Sequence, residues 1–181
     1  MLDLIQSQKD VGTVGNIQLN YETRLVDHAG IFFDLEGMPT HAQKTRRRLP
    51  RGDWLERNAV TAACLMVSKA KFQEMDGFDE DYRNGMEDVD LSVRMKRKGY
   101  RHFVSHKSVI LHHISKSPGR HQNDEKNSDL FREKWSAYTK TFGASEWPRE
   151  YLRRYARYWW RMEPRRFAQA LAMLLFPSNT K

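Results

Sequence analysis

The residues best placed to do chemistry in this 181-residue chain are three carboxylates in one short stretch, Glu87-Asp88-Val-Asp90, and two adjacent imidazoles, His112 and His113. The carboxylates open the clearest helix in the sequence. Val89 with Val93, and Leu91 with Met95, repeat at i, i+4; basic residues load the last turn, and Gly99 stops it. A carboxylate in a first helical turn has a fixed position and backbone N–H groups to hold it. Neighbouring carboxylates and partial burial can offset the dipole's tendency to make it a weaker base. Such a group can take a proton in general-base catalysis, yet the same acids also suit an ordinary helix N-terminus, so the helix alone does not decide between the two. Asp90 is expected to cap the helix or to pair with Arg94, four residues on. The imidazoles close a strand and precede a polar, basic loop; if the strand continues, they point to opposite faces. Imidazole is a ligand for several transition metals.

The elements that must position these groups read as alternating strands and helices. Residues 1 to 10 look like the end of a helix, and Val11 to Leu19 has the β-branched alternation of a strand. Ala29 to Phe33 is a second short strand, followed by turn chemistry at Glu36-Gly37-Met38-Pro39. Lys44 to Arg51 is too charged for a core and reads as a solvated or anion-facing loop. Asn58 to Val67 suits a strand buried on both faces. Ser68 caps a short helix that ends at Asp76-Gly77, where the chain needs positive φ or a tight turn. Arg101 to Val104 and Ser108 to Leu111 are strands, and a helix is predicted from about Asn127 to Tyr138. No internal repeat or low-complexity tract is present.

Composition narrows the partners. The chain carries 31 Lys and Arg against 23 Asp and Glu, a net charge of +8, which favours anionic partners such as nucleic acid, phospholipid headgroups or sugar diphosphates. Five of those eight charges lie between Trp147 and Arg166, with seven Arg against two Glu. Arg149, Arg153, Arg157 and Arg161 fall at i+4 spacing, and Trp147, Tyr151, Tyr155 and Trp159 repeat likewise, roughly 200° away around a helix. Such a segment suits a membrane interface, and it equally suits a helix packing its aromatic stripe onto the domain. Pro164 breaks it, and Phe167 to Phe176 forms a second, short apolar helix. One cysteine, Cys64, allows no internal disulfide and fits a reducing compartment. The N-terminus shows neither the basic nor the apolar region of a signal peptide, and no stretch reaches the ~18 apolar residues of a membrane span. A cytoplasmic location, peripheral at the inner face of the cell membrane, is the expectation.

Five blocks in one order carry a family resemblance: Thr61-Ala-Ala-Cys-Leu-Met-Val-Ser, Phe72 leading into Gly77-Phe-Asp-Glu80, Glu87-Asp-Val-Asp-Leu with Arg94, Gly99-Tyr100, and His112-His-Ile-Ser-Lys-Ser117. Together they resemble the second half of family 2 glycosyltransferases over roughly residues 11 to 140. Val11-Gly-Thr-Val-Gly15 with Leu19-Asn20, Asp27-His-Ala-Gly-Ile31 and Gly37-Met-Pro39 look like the stretch after the metal-binding motif of those enzymes.

The resemblance implies an α/β fold, a partial GT-A mixed sheet of the nucleotide-diphospho-sugar transferase type, with flanking helices over 1–140 and a basic, aromatic helical tail over 141–181. It implies inverting transfer of a sugar from a nucleotide-sugar donor to a hydroxyl of a glycan or lipid-linked acceptor, in cell-surface polysaccharide or glycoconjugate synthesis. Asp88 would be the base and Glu87 would position the acceptor. Thr61, Ala62 and Ala63, with Asp79 and Glu80, would shape the acceptor and sugar site. Lys116 and Arg120 would grip diphosphate oxygens, and His112 would join the ligands of a Mn or Mg ion. Two positions depart from the family, which has Gly where Ala62 stands and a double Gly where Asp76-Gly77 stands; alanine narrows the backbone's approach to a ligand. The larger departure is that no Asp-x-Asp after a strand and no leading βαβ nucleotide-binding unit precede Val11. The expectation is therefore a fragment, a split subunit whose donor half sits on a partner chain, or a remnant.

Two rival classes follow from the tail. A nucleic-acid binder would use its arginines and aromatics, but no recognisable binding module is present and the charge is concentrated in one helix. A non-catalytic module would use the same tail against a membrane surface or a partner protein.

Overall fold

A computed structural model describes residues 1–113, 119, 121–156 and 158–176. The chain is α/β, with a mixed sheet, helices beside it and a C-terminal helix, the arrangement expected of part of a GT-A-like fold. Helix α1 (Leu2–Ser7) leads into the ten-residue strand β1 (Val11–Asn20). Strands β2 (Val26–His28), β3 (Ile31–Phe33), β4 (Pro39–His41) and β5 (Trp54–Arg57) are short. A 3-10 turn over Ala62–Cys64 precedes β6 (Leu65–Val67) and α2 (Lys69–Glu74), then come α3 (Glu87–Arg97) and β7 (Arg101–His112). Helix α4 (Asp124–Tyr155), a 3-10 turn over Trp159–Arg161 and α5 (Pro164–Leu175) complete the described chain.

The five-stranded sheet runs β2-β1-β7-β5, with β6 also on β1; β1 and β7 are parallel and the other pairs antiparallel. β1 is buried along most of its length because β7 covers one edge while β2 and β6 divide the other. The two strands expected around Val104 and Ser108 form one strand. Its register against β1 shifts between Asn16↔Ser105 and Ile17↔Val109, where His106 turns its Nδ1 toward the carbonyls of Arg51 and Gly52. Strands β3 and β4 form a separate hairpin.

Helix α3 packs as its periodicity dictates. Val89 and Val93 enter a core with Ile31, Phe33, Phe131 and Trp135, while Leu91 and Met95 pack with Met75. Fully burying each such side chain contributes about 1.5–3 kcal/mol. Ser68 caps α2 through the N–H of Lys71, and the helix ends in the positive-φ pair Asp76 and Gly77, as expected.

A buried histidine pins α3 to the sheet. His102 on β7 directs Nε2 to the Ser92 carbonyl at 2.9 Å, so that nitrogen donates and Nδ1 accepts from the Thr13 hydroxyl at 2.7 Å. Burial, with Lys96 nearby, pushes its pKa from the ordinary 6.5 down to about 3. A base depressed in the fold stays neutral there while the unfolded chain takes up a proton, so this contribution is full above pH 6.5 and is lost as pH falls toward 3. Urea midpoints measured across that window are expected to drop by the equivalent of roughly 1.4 kcal/mol per pH unit, and His102→Gln should flatten that slope.

Two further expectations are corrected. Asn58 to Val67 is not one strand: β5 ends at Arg57, and Thr61 caps the 3-10 turn through the N–H of Ala63. The helix predicted over 127–138 continues to Tyr155 with Pro148 inside it. Gly143 is where α4 crosses the β3–β4 turn, and a Cβ there would lie 2.3 Å from the Asp34 carbonyl oxygen. Beyond Gly143, Trp147 and Tyr151 are buried with Phe32, Ala42 and Ala170, so that part of the aromatic stripe packs onto the domain. Trp159 lies past the end of α4 and is 70% exposed.

Candidate active site at the start of α3

The approach to α3 is unusual backbone. Asn84, Gly85 and Met86 all have positive φ, at 56°, 153° and 75°. Asn and Gly tolerate this, whereas Met86 in the left-handed region costs roughly 1–2 kcal/mol. The loop is held from two sides. Glu87 accepts a hydrogen bond from the Gly85 N–H at 2.5 Å. Buried Asn127, on α4, clamps Arg83 by accepting its N–H at 3.1 Å and donating to its carbonyl at 2.9 Å.

This fixes Asp88. One carboxylate oxygen accepts from the Ala62 N–H at 2.7 Å and the other from the Val89 N–H at 2.8 Å. The Ala62 bond is the local reason that the apolar 58–67 run breaks into a turn. Asp88 lies on the wall of a hollow of about 260 Å³ that Thr61, Met86, Pro39, His41 and Ser128 also line. A carboxylate oriented by two backbone donors retains lone pairs for a third, which is the geometry a positioned proton acceptor requires.

The other acids are committed elsewhere. Asp90 is buried, pairs with Arg94 at 2.7 Å and accepts from the Trp135 indole at 2.6 Å. Arg94 also donates to the carbonyls of Met75 and Gly77, and so ties the turn ahead of Phe78 to α3. Asp79 pairs with Lys134 at 2.5 Å, a contact that holds its carboxyl below the usual range. Neither Asp79, the exposed Glu80 nor Glu87 lines the hollow. Ala62 and Ala63 are exposed, and Ala63 touches the site only by donating to Thr61 Oγ1 at 3.4 Å.

Residues of β2 and β4 connect Asp88 to His112. His41, at the end of β4, lines the Asp88 hollow, and its Nδ1 lies 4.0 Å from an oxygen of Asp27. The same oxygen lies 3.9 Å from His112 Nδ1, so Asp88 and His112 face one connected region through His41 and Asp27. Lys44 Nζ approaches the other Asp27 oxygen at 3.6 Å. His28 stands edge-on to His41, with ring centroids 4.9 Å apart. Burial, with the positive charges around it, holds His28 well below the ordinary imidazole range, and burial lowers His41 against the pull of Asp27.

Several polar atoms on this side of the sheet have no side-chain hydrogen bond among the described residues. Among the described residues, both ring nitrogens of His28, the side-chain amide of Asn16 and the Nε2 of Gln18, which is paired in register with His28, are buried without a hydrogen bond, and Nδ1 of His41 and of His112 meet only the Asp27 carboxylate at ion-pair distance. Such orphans cost about 1–3 kcal/mol each and mark a polar floor made to meet something polar. Among the described residues, no group of three or more His, Cys, Asp or Glu is arranged to hold a metal ion. His113 stacks on Tyr21, its ring 3.9 Å away, and takes no part in the floor. Lys116 and Arg120, expected to grip a diphosphate, lie outside the described residues.

No family model matches the chain. It is 30% identical over 126 residues to an O-antigen biosynthesis protein RfbC of Myxococcus xanthus, a match that covers 62% of this chain and 9% of that protein. An uncharacterized protein of Sinorhizobium fredii is 30% identical over 130 residues, 68% of this chain and 14% of that protein. An N-acetylglucosaminyl-diphospho-decaprenol L-rhamnosyltransferase of Mycobacterium tuberculosis is 38% identical over 61 residues, 34% of this chain and 20% of the enzyme. The chain thus spans a fifth or less of the length of these curated relatives. Two of the three names concern glycan synthesis, O-antigen biosynthesis in one and rhamnosyl transfer in the other.

Proposed function

We propose that the chain is the acceptor-side, base-bearing part of an inverting, family 2-like glycosyltransferase acting in cell-surface polysaccharide or glycoconjugate synthesis. The observation that carries this reading is the Asp88 carboxylate, held by two backbone amides on the wall of a hollow. In this reading Asp88 takes the acceptor hydroxyl proton as that oxygen attacks the anomeric carbon. The bond from that carbon to the donor's diphosphate breaks, and the diphosphate leaves with the electron pair. Glu87 acts through the loop it closes at Gly85, and Thr61 and Ala62 form the lip against which the acceptor rests.

His112 is the residue of this chain assigned to a Mn or Mg ion, whose role when bound is to stabilise the departing diphosphate. The remaining ligands, and the pocket for the nucleotide, are assigned to sequence outside these 181 residues or to a partner chain. The orphaned floor of Asn16, Gln18, His28 and His41 supports a polar ligand on this side of the sheet. The acceptor is proposed to be lipid-linked, as the name of the mycobacterial relative describes for that enzyme, with the protein on the cytoplasmic face of the membrane. Among the described residues, no helix is long and apolar enough to cross a membrane.

The reading is tested by supplying a protein that carries this segment with a panel of nucleotide sugars and polyprenyl-diphosphate acceptors, and following the radiolabelled sugar into lipid extract. Label transferred from one donor supports it, and hydrolysis alone with every donor would remove it.

A further inference from the structure

A second, larger cleft adjoins the Asp88 hollow, and Pro39 and His41 line both. It measures about 810 Å³ and lies between the β4–Thr45 segment and the last turn of α4. Lys44, Arg154 and Arg161 line it with Tyr155 and Tyr158, and no carboxylate is among its lining residues. Arg154 and Arg161 form no ion pair among the described residues, unlike Arg153, which is held by Glu150 at 2.9 Å. Lys44 is drawn toward Asp27 at 3.6 Å, which leaves Arg154 and Arg161 as the cations of the cleft without an ion pair among the described residues; an anion there relieves their mutual repulsion.

The same wall continues into apolar surface. Tyr158 contacts Trp160 edge-on at 5.7 Å, and Trp160 contacts Trp159 at 6.2 Å; the two indoles are 64% and 70% exposed. Helix α5 docks on the domain through small Ala170 and partly buried Met173, while Phe167, Leu171, Leu174 and Leu175 face outward at i, i+4, i+7 and i+8. A helix that buries its alanine and exposes its leucines is turned toward an apolar medium. Indoles flanked by arginines are the residues that settle at a lipid headgroup boundary.

We infer that this cleft binds the phosphate groups of a lipid-linked ligand, with Lys44, Arg154 and Arg161 taking the phosphate oxygens, and with Trp159, Trp160 and the outer face of α5 seated in the membrane that carries it. The inference rests on the transferase reading for the ligand's role as acceptor, because a phosphate held here places the attached sugar next to Asp88. It moves the membrane surface away from Trp147 and Tyr151, which the domain buries, to the segment from Trp159 to Phe176.

The test is flotation of the full chain with phosphatidylcholine vesicles that are neutral, doped with polyprenyl diphosphate, or doped with phosphatidylglycerol at equal surface charge. Retention on polyprenyl diphosphate is expected to exceed the other two by about tenfold, and Arg154→Gln with Arg161→Gln should remove that preference. Trp159→Ser with Trp160→Ser should lower retention on all vesicles, and inorganic pyrophosphate should compete with the wild type. Circular dichroism confirms that the variants are folded. Equal retention on phosphatidylglycerol, or an unaffected arginine variant, would overturn the site. Saturable binding of uridine diphosphate that the arginine variant loses, without vesicle retention, would assign the cleft to a nucleotide and overturn it too. No sugar donor enters this assay: transfer lost with retention intact counts against the transferase reading, and retention lost with transfer intact counts against the cleft.

Discussion

Asp88→Asn, in a protein that carries this segment and a donor-binding segment, is expected to lower sugar transfer by about 10²–10⁴-fold, the contribution of a positioned general base. Donor affinity should stay within a few fold. The substitution is nearly isosteric, and the amide oxygen can still accept from the Ala62 or the Val89 N–H. What it removes is the ability to carry the acceptor's proton away as the new bond forms. Turnover and donor binding measured on the same preparation separate this from misfolding. Glu87→Gln is expected to cost less, because Glu87 accepts from Gly85 within its own loop and does not line the hollow.

Arg57→Ala is expected to destabilise the fold by about 3 kcal/mol, the effect of removing the shared cation from a buried ion-pair network. Arg57 is 6% exposed and donates to Glu146 at 3.2 Å, to Glu150 at 3.3 Å and to the Ala29 carbonyl at 3.1 Å. Asn58, Gln43 and Arg153 also donate to these two glutamates, and burial raises the Glu146 carboxyl above its usual range. Next to it, Gly30 has a φ of 89°, and a Cβ there would lie 2.3 Å from Arg57 Cγ, so the aliphatic stem of Arg57 passes only because position 30 has no side chain. Urea unfolding reads the loss directly. A change under 1 kcal/mol would mean that the glutamates find other partners or water. The same network fixes α4 against β5 and the β2–β3 link, and with them the hairpin that carries His41 to Asp88.

The parts of the site that lie within one element were legible in the sequence. Helix α3 announces itself through Val89, Val93, Leu91 and Met95 and through the glycine that stops it. The Asp90–Arg94 pair follows from four-residue spacing, and the Ser68 cap from its place before a helix. What stayed hidden depends on contacts between distant residues. The run from Asn58 to Val67 reads as a strand until the Ala62 N–H is known to bond Asp88, 26 residues later. Gly143 and Pro148 look like places for a helix to end, but packing against Asp34 and burial of Trp147 carry α4 through them. Four aromatics at one spacing look equivalent, yet the domain buries Trp147 and Tyr151 and leaves Trp159 outside, because α4 stops at Tyr155. Asp27 and His28 were legible only as part of the family resemblance, and His41 carried no local signal, since its place in the site depends on contacts with Asp27 and His28 across separate sheets.

The most direct test of Asp88 as proton acceptor is the anomeric configuration of the first-formed product, read by proton NMR during turnover with a donor of known configuration. A single displacement assisted by one carboxylate base predicts a product of opposite configuration to the donor's sugar. A product that keeps the donor's configuration would contradict the account, because retention needs a nucleophile or a front-side route in place of a base at Asp88.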